Sequence, residues 1–358
     1  MTTKPYEILA ERLDALPNGF PRTKDGLEIR LLAYIFSAEE AELAAQLRIT
    51  PETPEQIAVR LGREAEPLRM MLKGMAKHGL IKAEVTEAGL GYALLPFVVG
   101  IYEMQISRID RELALLFEDY YQQAFHQMLS IAPPVHRVIP VYESVRVDLE
   151  IRPYESAAAL LDHAKSWGVT DCICRIQKAL IGEACQHPVE VCMMLSERAA
   201  AFDHNAVVRA LTREEAMDIL HQAALAGLVH SVSNNQQGVW YVCNCCTCSC
   251  GILRGMAEKG MANVIARSSY VNQVDQAGCL ACGDCVAMCQ FHALSMNEFA
   301  EVDRLRCVGC GVCVPSCPEQ ALGLVQRPSW EIKNPPENEK EWGKERAHNR
   351  GISLEGIL

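Results

Sequence analysis

The sequence predicts an α+β protein built from several domains. A chain of 358 residues exceeds one ordinary core, so two or three domains are expected. Helical periodicity dominates the first third, whereas short strand patterns between turn residues occur later. The chain has 17 cysteines and none precedes Cys172, so the later domains differ in chemistry from the first. We expect domains over residues 1–130, 131–253 and 254–326, followed by a charged, poorly packed tail over 327–358.

The domain over residues 1–130 is predicted to be helical with one hairpin. A helix from Pro54 to Leu61 follows the N-cap candidate Thr53, and a second helix is expected from Pro67 to His78. Two strands are expected after it, Leu80 to Val85 and Tyr92 to Val99. Helix, turn, helix and hairpin in this order are typical of a winged helix–turn–helix, so we expect a winged-helix-like domain.

The second helix of this pattern raises a DNA-binding hypothesis, because such a helix can enter the major groove. Much of the helix is apolar, however, as in Met70, Leu72 and Met75, and apolar stripes usually pack in a core. The basic residues on the helix and its flanks are Arg63, Arg69, Lys73, Lys77 and Lys82. This basic footprint is modest, so DNA binding is the alternative and not the favoured function.

A long helix is predicted from Tyr102 to Met128. Its apolar residues recur at helical spacing and form one stripe, Ile106, Ile109, Leu113, Leu116 and Tyr120. Such a stripe commonly packs against a second copy or a neighbouring domain. A homodimer through residues 102–128 is therefore a candidate assembly.

Residues 131–253 are expected to form a cysteine-rich middle domain of helix and hairpin. It begins with a Pro- and Val-rich connector over 131–160. Thr212 and Glu215 match a capping box, which predicts a helix that ends near Gly227. A hairpin is expected next, Val229 to Val232 and Val239 to Val242.

The C-terminal cysteines form a repeated motif. Cys279, Cys282, Cys285 and Cys289 have C-x2-C-x2-C-x3-C spacing. The spacing recurs 28 residues later in Cys307, Cys310, Cys313 and Cys317, followed by Pro318. At the same offset Gly283 matches Gly311, and glycine lets a backbone approach a ligand closely. The repeat predicts two [4Fe–4S] clusters.

A cubane cluster needs one thiolate for each of its four irons, and this motif sends its fourth cysteine to the other cluster. We therefore expect one cluster on Cys279, Cys282, Cys285 and Cys317. The other cluster is expected on Cys307, Cys310, Cys313 and Cys289. Structural zinc, the competing interpretation, rarely uses this triple spacing.

Over residues 274–325 the sequence resembles the bacterial-type dicluster ferredoxin family. The resemblance implies a small ferredoxin-like α+β unit with pseudo-twofold symmetry that transfers single electrons at low potential. One departure is visible, because Gln290 and His292 follow Cys289 where the family usually has proline after the fourth cysteine.

Nine upstream cysteines indicate further metal sites. Cys172 and Cys174 form a C-x-C pair before Arg175, whose guanidinium would suit hydrogen bonding to a cluster. The remaining upstream cysteines are Cys185, Cys192, Cys243, Cys245, Cys246, Cys248 and Cys250. Three interpretations stay open: one or two additional [4Fe–4S] clusters, structural zinc, and redox thiols or an open substrate-binding cluster.

The five cysteines between 243 and 250 contain two overlapping C-x2-C pairs, Cys243 with Cys246 and Cys245 with Cys248. If the stretch is extended, alternation sends Cys243 and Cys245 to one side and Cys246, Cys248 and Cys250 to the other. One ribbon would then supply two separate metal sites.

Charge and hydropathy restrict the function classes. A net charge of −11 disfavours bulk nucleic-acid binding and suits docking on basic partners. No apolar run reaches the roughly 20 residues of a membrane helix, and no export signal is visible, so a cytoplasmic protein is expected. The favoured function is an electron carrier or an oxidoreductase subunit that works with redox partner proteins and has no catalytic residues of its own. The alternatives are a redox-responsive DNA-binding regulator and an enzyme that acts at an incompletely ligated upstream cluster.

Overall fold

The computed structural model describes residues 3–141, 144–145, 151–261 and 264–357. The chain divides into two compact units, the first formed by residues up to 131, 180–182 and from 343 onwards, the second by 132–179 and 183–342. Helices and strands are both present, so the predicted α+β class is confirmed. In the part of the chain that the structure describes, no helix is both long enough and apolar enough to cross a membrane.

The first unit begins with a series of helices followed by a hairpin. The helices are α1 (Lys4–Asp14), α2 (Leu27–Ile35), α3 (Ala38–Ala44), α4 (Pro54–Leu61) and α5 (Ala65–Lys77). Thr53 starts α4 through a capping box with Gln56, and Gly62 ends it with a φ of 64°. The antiparallel hairpin consists of β1 (Lys82–Thr86) and β2 (Gly89–Ala93). The predicted order of elements is present, although the second strand begins and ends earlier than expected.

The single helix predicted from Tyr102 to Met128 is wrong. The structure has instead a 3-10 helix (Glu103–Gln105), the helix α6 (Arg111–Gln123) and a second 3-10 helix (Phe125–Ser130). Asp110 begins α6, because its side chain accepts a hydrogen bond of 3.0 Å from the N–H of Leu113 and satisfies the first turn.

The apolar stripe of this segment packs inside its own unit. Leu113, Leu116 and Tyr120 are buried, and Tyr102 stacks on Phe117 with ring centroids 3.7 Å apart. A homodimer through residues 102–128 stays a prediction, and it would need a face other than this stripe.

A sheet of seven described strands forms the centre of the second unit, in the order β6-β4-β5-β8-β7-β3-β9. The strands are β3 (His136–Val138), β4 (Ser166–Asp171), β5 (Glu190–Ser196), β6 (Arg209–Leu211), β7 (Val229–Ser233), β8 (Tyr241–Cys245) and β9 (Ile265–Ala266). The β3–β9 pair is parallel and the other pairs are antiparallel. The predicted hairpin is present as β7 and β8.

Three helices accompany this sheet: α7 (Ala157–His163), α8 (Ile173–Leu180) and α9 (Arg213–Leu225). Leu161 of α7 and Leu220 of α9 share one buried cluster with Val169 and Met193 of the sheet. The segment 131–160 is not merely a connector, since it contributes β3 and α7 to this layer.

The rest of the unit has repeated, reciprocal pairing. Its elements are α10 (Arg254–Ala257), β10 (Tyr270–Val274), α11 (Asp284–Met288), β11 (Leu294–Met296), β12 (Ala300–Val302) and β13 (Leu322–Gln326). Two antiparallel pairs form, β10 with β13 and β11 with β12. The N–H of Asp275 donates to Ala321 O (2.7 Å), and that of Asp303 donates to Ala293 O (2.8 Å). Because these residues match at the 28-residue offset, the two halves are related by a pseudo-twofold axis.

The poorly packed tail predicted over 327–358 is wrong for the residues that the structure describes. It contains a 3-10 helix (Ser329–Glu331) and α12 (Glu339–Arg350), and Arg346 is fully buried in the first unit. Its guanidinium donates to the carbonyls of Pro17 (2.9 Å) and Met128 (2.6 Å) and also to that of Ile131. A charged composition suggested solvation, but this guanidinium is buried and donates to three backbone carbonyls of the first unit.

Arg346→Ala should destabilise the first unit, because several buried carbonyls would lose a charged donor. We expect the free energy of unfolding to fall by about 3 kcal/mol, measured by urea titration. Lys340→Ala, on the exposed face of the same helix, should change it by less than about 0.5 kcal/mol. Equal stability of the two variants would contradict the packing of α12.

Candidate metal centres

The two C-terminal cysteine loops have the same backbone conformation. Positive φ angles occur in matching pairs: Ala281 and Gly309 (54° and 73°), Gly283 and Gly311 (89° and 77°), His292 and Gln320 (50° and 53°). At Gly309 a Cβ atom would lie 2.1 Å from Tyr270 O, so no larger residue fits there. The internal repeat therefore extends from the cysteines to the backbone that presents them.

The first set of thiols consists of Cys279, Cys282, Cys285 and Cys317, which line one cavity. Cys279 and Cys282 belong to the loop that leads into α11, Cys285 lies in the first turn of α11, and Cys317 comes from the other repeat. The N–H of Ala300 donates to Cys279 Sγ (3.4 Å), and that of Ala321 donates to Cys317 Sγ (3.3 Å). Such N–H donors are placed to hydrogen-bond a metal-bound sulfur.

The second set consists of Cys289, Cys307, Cys310 and Cys313, which line a separate cavity. The N–H of Ala293 donates to Cys289 Sγ (3.3 Å), and the side-chain amide of Asn272 donates to Cys313 Sγ (2.9 Å). In each set, three cysteines come from one repeat and the fourth comes from the other. These are the two groups into which the motif sorts the eight cysteines.

The two sets differ in exposure. Cys282 of the first set is exposed, and the neighbouring Leu280 has 69% of its surface accessible. In the second set Cys310 is buried, and the hydroxyl of Ser144 donates to Gly311 O (2.7 Å) on the same loop. The second loop is thus covered by the chain, whereas the first borders solvent.

The donor chemistry of both sets fits a metal cluster. Burial raises the pKa of Cys310 to about 12. Burial, reinforced by the other thiols of its set, also raises the pKa of Cys285. Burial therefore opposes ionisation of these two thiols, whereas coordination to iron deprotonates a thiol outright. Each set suits a group that brings positive charge into the cavity.

The thiols of six upstream cysteines are neighbours in a closed ring. Each is linked to the next in the order Cys172, Cys174, Cys250, Cys245, Cys243, Cys192, and Cys192 returns to Cys172. Hydrogen bonds from Cys243 and Cys250 lower the pKa of Cys245 to about 6. Six sulfurs exceed the four ligands of a single tetrahedral ion, so the ring suits a polynuclear centre.

The two cysteines of each overlapping C-x2-C pair belong to different groups in the structure. Cys243 and Cys245 join the ring, whereas Cys246 and Cys248 lie outside it. The alternation that sends Cys250 to the side of Cys246 is wrong. The strand β8 ends at Cys245, and the N–H of Cys250 donates to Cys246 O (3.0 Å), so a turn returns Cys250 to the ring.

The other three upstream cysteines, Cys185, Cys246 and Cys248, lie together with His187. His187 is not among the metal ligands predicted from the sequence. Its signal was present, because Cys185 and His187 have the same one-residue spacing as Cys246 and Cys248. Histidine and cysteine at matched spacings are the ligand types of zinc sites.

Arg175 supplies a buried positive charge beside both upstream groups. It is 3% exposed, and its Nη2 donates to Asn244 O (2.8 Å). Its Nε and Nη1 have no nitrogen or oxygen partner among the described residues. Burial lowers the pKa of Arg175, but the neighbouring Cys172, Cys246 and Cys245 outweigh this effect and raise it overall. The guanidinium is placed to offset thiolate charge.

Gln290 connects the second thiol set to the upstream cysteines. Its Oε1 accepts a hydrogen bond of 2.6 Å from the N–H of Thr247, and its Nε2 donates to Gly227 O. Thr247 stands between Cys246 and Cys248, whereas Gln290 directly follows Cys289. Proline could not make either contact, so the departure at this position has a structural reason.

Comparison with known proteins identifies the C-terminal module. No curated protein matches the chain, and no solved structure does. Residues 278–321 match the family model described as a 4Fe-4S dicluster domain. The predicted ferredoxin-type domain is thereby confirmed, and this part of the chain binds iron–sulfur clusters.

Proposed function

We propose that this protein transfers electrons between redox partner proteins, either as a carrier or as a subunit of an oxidoreductase. The observation that carries this proposal is the interleaving of the two thiol sets, one exposed and one buried, within a single module. Each set supplies four thiols, enough for one [4Fe–4S] cluster, so the module holds two. When bound, such clusters supply one-electron transfer at low potential.

The partner docks at the first thiol set in this proposal. Leu280 offers an exposed apolar side chain there, and the exposed carboxylates of Asp284 and Glu319 lie beside the same cysteines. Together with the net charge of −11, these side chains favour a partner with a basic surface.

A third cluster in the ring of six thiols extends the proposal. The ring contains more thiols than a cubane needs, and Arg175 contributes positive charge at its edge. Gln290, the residue after Cys289, accepts a hydrogen bond from the N–H of Thr247, which lies in the turn between the ring members Cys245 and Cys250. This hydrogen bond links the loop that carries Cys250 to the segment that carries Cys289, and the link supports a chain of redox centres.

The helical first unit is proposed as a docking domain with a winged-helix-like order of elements. The contacts of its basic residues favour protein over DNA. Arg69 pairs with Glu55 and Glu66, Arg63 with Glu42, and Lys82 with Glu84. These carboxylates reduce the positive charge that phosphate binding needs, so the regulator hypothesis has less support.

The assignment of each motif's fourth cysteine to the cluster of the other repeat can be tested with two double variants. Cys289→Ala/Cys310→Ala should leave one intact cluster, because both residues belong to the second set. Cys289→Ala/Cys282→Ala should damage both clusters. EPR spectra of the reduced protein should show a single uncoupled signal for the first variant and none of the native signals for the second. The reverse outcome would contradict the assignment.

If the ring holds a third cluster, the iron content per chain should exceed that of the two clusters in the module. Anaerobically purified protein should contain about twelve irons per chain, against about eight for two clusters alone. Cys174→Ala/Cys192→Ala should remove about four irons and leave the EPR signals of the module unchanged. Ser233→Ala, on β7 outside the ring, serves as the control. A wild-type content of about eight irons would exclude the third cluster.

The docking site predicts a charge effect on electron transfer. Asp284→Lys/Glu319→Lys should slow oxidation of the reduced protein by cationic hexaamminecobalt(III) and accelerate oxidation by ferricyanide, each about tenfold at low salt. Stopped-flow absorbance measures both rates. Glu39→Lys/Glu87→Lys carries the same change in net charge in the first unit and should have a smaller effect. Equal effects of the two pairs would reject the docking site.

A further inference from the structure

Four side chains outside the ring and the module converge on one point. Cys185 and His187 come from the loop between α8 and β5, and Cys246 and Cys248 come from the loop after β8. Their ligand atoms all lie within 4.8 Å of one another, and Cys248 Sγ is 3.6 Å from His187 Nδ1.

The spacing of these atoms fits a single ion. With Zn–S near 2.3 Å and Zn–N near 2.0–2.1 Å, the edges of a tetrahedron around zinc are about 3.6–3.8 Å. The 3.6 Å separation of Cys248 and His187 matches such an edge. A cubane, in contrast, attaches its ligands to four different irons outside a core of iron and sulfide, so it needs a wider group.

The surroundings of the group suit thiolate ligands. The hydroxyl of Ser249 donates to Cys185 Sγ (3.4 Å), and Cys246 is only 1% exposed. Three thiolates and a neutral imidazole around Zn²⁺ carry a net charge of −1. The buried guanidinium of Arg175, beside Cys246 and lacking a carboxylate partner among the described ion pairs, provides the matching positive charge.

We propose that Cys185, His187, Cys246 and Cys248 bind one Zn²⁺ ion. Each cysteine gives its thiol proton to solvent as its sulfur–zinc bond forms, and His187 binds as neutral imidazole through Nδ1. Four protein ligands complete the tetrahedron and leave no position for substrate, so the zinc is structural.

The ion joins two loops that are distant in sequence. Cys246 directly follows Cys245 of the ring, and Cys248 precedes Cys250 by two residues. Zinc at this place therefore cross-links the turn after β8 to the loop between α8 and β5, whereas the hydrogen bond from the N–H of Cys250 to Cys246 O directs Cys250 to the ring without the ion. This site goes beyond the electron-transfer proposal and does not depend on it.

The test is metal analysis of the full chain, purified anaerobically from cells supplied with both iron and zinc. Wild-type protein should contain about one zinc per chain, and X-ray absorption at the zinc edge should show three sulfur ligands and one nitrogen. His187→Ala should lower zinc at least about tenfold after dialysis against a chelator, since one of four ligands is lost. Its iron content and EPR signals should be unchanged.

Two variants keep the result decisive if His187→Ala folds poorly. His187→Cys should retain zinc with four sulfur ligands, and His204→Ala, at an exposed histidine elsewhere in the unit, should behave as wild type. Cobalt added to zinc-depleted wild type should give the intense sulfur-to-cobalt absorption of a tetrahedral thiolate site. Loss of about four irons in His187→Ala would show an iron–sulfur cluster instead. Absence of both zinc and cobalt binding would overturn the proposal.

Discussion

Thiolate sulfurs can be buried next to one another only where positive charge lies among them, because each unpaired buried charge is costly. The buried cysteines of the second unit that the structure describes are subject to this constraint. In the module, burial makes Cys310 a poor acid until a metal binds. Upstream, Arg175 brings a fixed positive charge to the thiols, and its neighbours are sulfurs instead of carboxylates. Metal binding and folding of this unit are therefore closely coupled.

The seven-stranded sheet is the frame that makes the upstream groups possible. The strands β4, β5 and β8 are neighbours in the sheet. They bring together Cys172 at the end of β4, Cys192 in β5 and Cys243 in β8, although these residues are far apart in sequence. The turn after β8 then divides its cysteines between two groups. Gln290 adds a polar link from that turn to the module. A hydrogen bond thus joins the upstream cysteine groups to the module within the unit.

Polar side chains hold the first unit together in places where the sequence suggests solvent. Arg346 and Arg350 of α12 donate to carbonyls of the α1 region, and Arg350 also pairs with Asp14 at 2.9 Å. Asp110 interrupts what looks like one long helix, since a side-chain cap competes with continued helix. In both cases a side-chain hydrogen bond determines the local structure. Composition and periodicity do not reveal the partners of that hydrogen bond.

The sequence by itself determined the C-terminal module, its internal repeat and the division of its cysteines into two groups of four. These features are local, because three ligands of each group lie within seven residues and the repeat sets the loop backbone. It also predicted the α+β class and the order of elements around α4 and α5. Only the tertiary structure decided how the nine upstream cysteines divide, that His187 joins three of them, and that α12 is packed. Those outcomes depend on strand pairing and buried hydrogen bonds between distant residues, which no local pattern records.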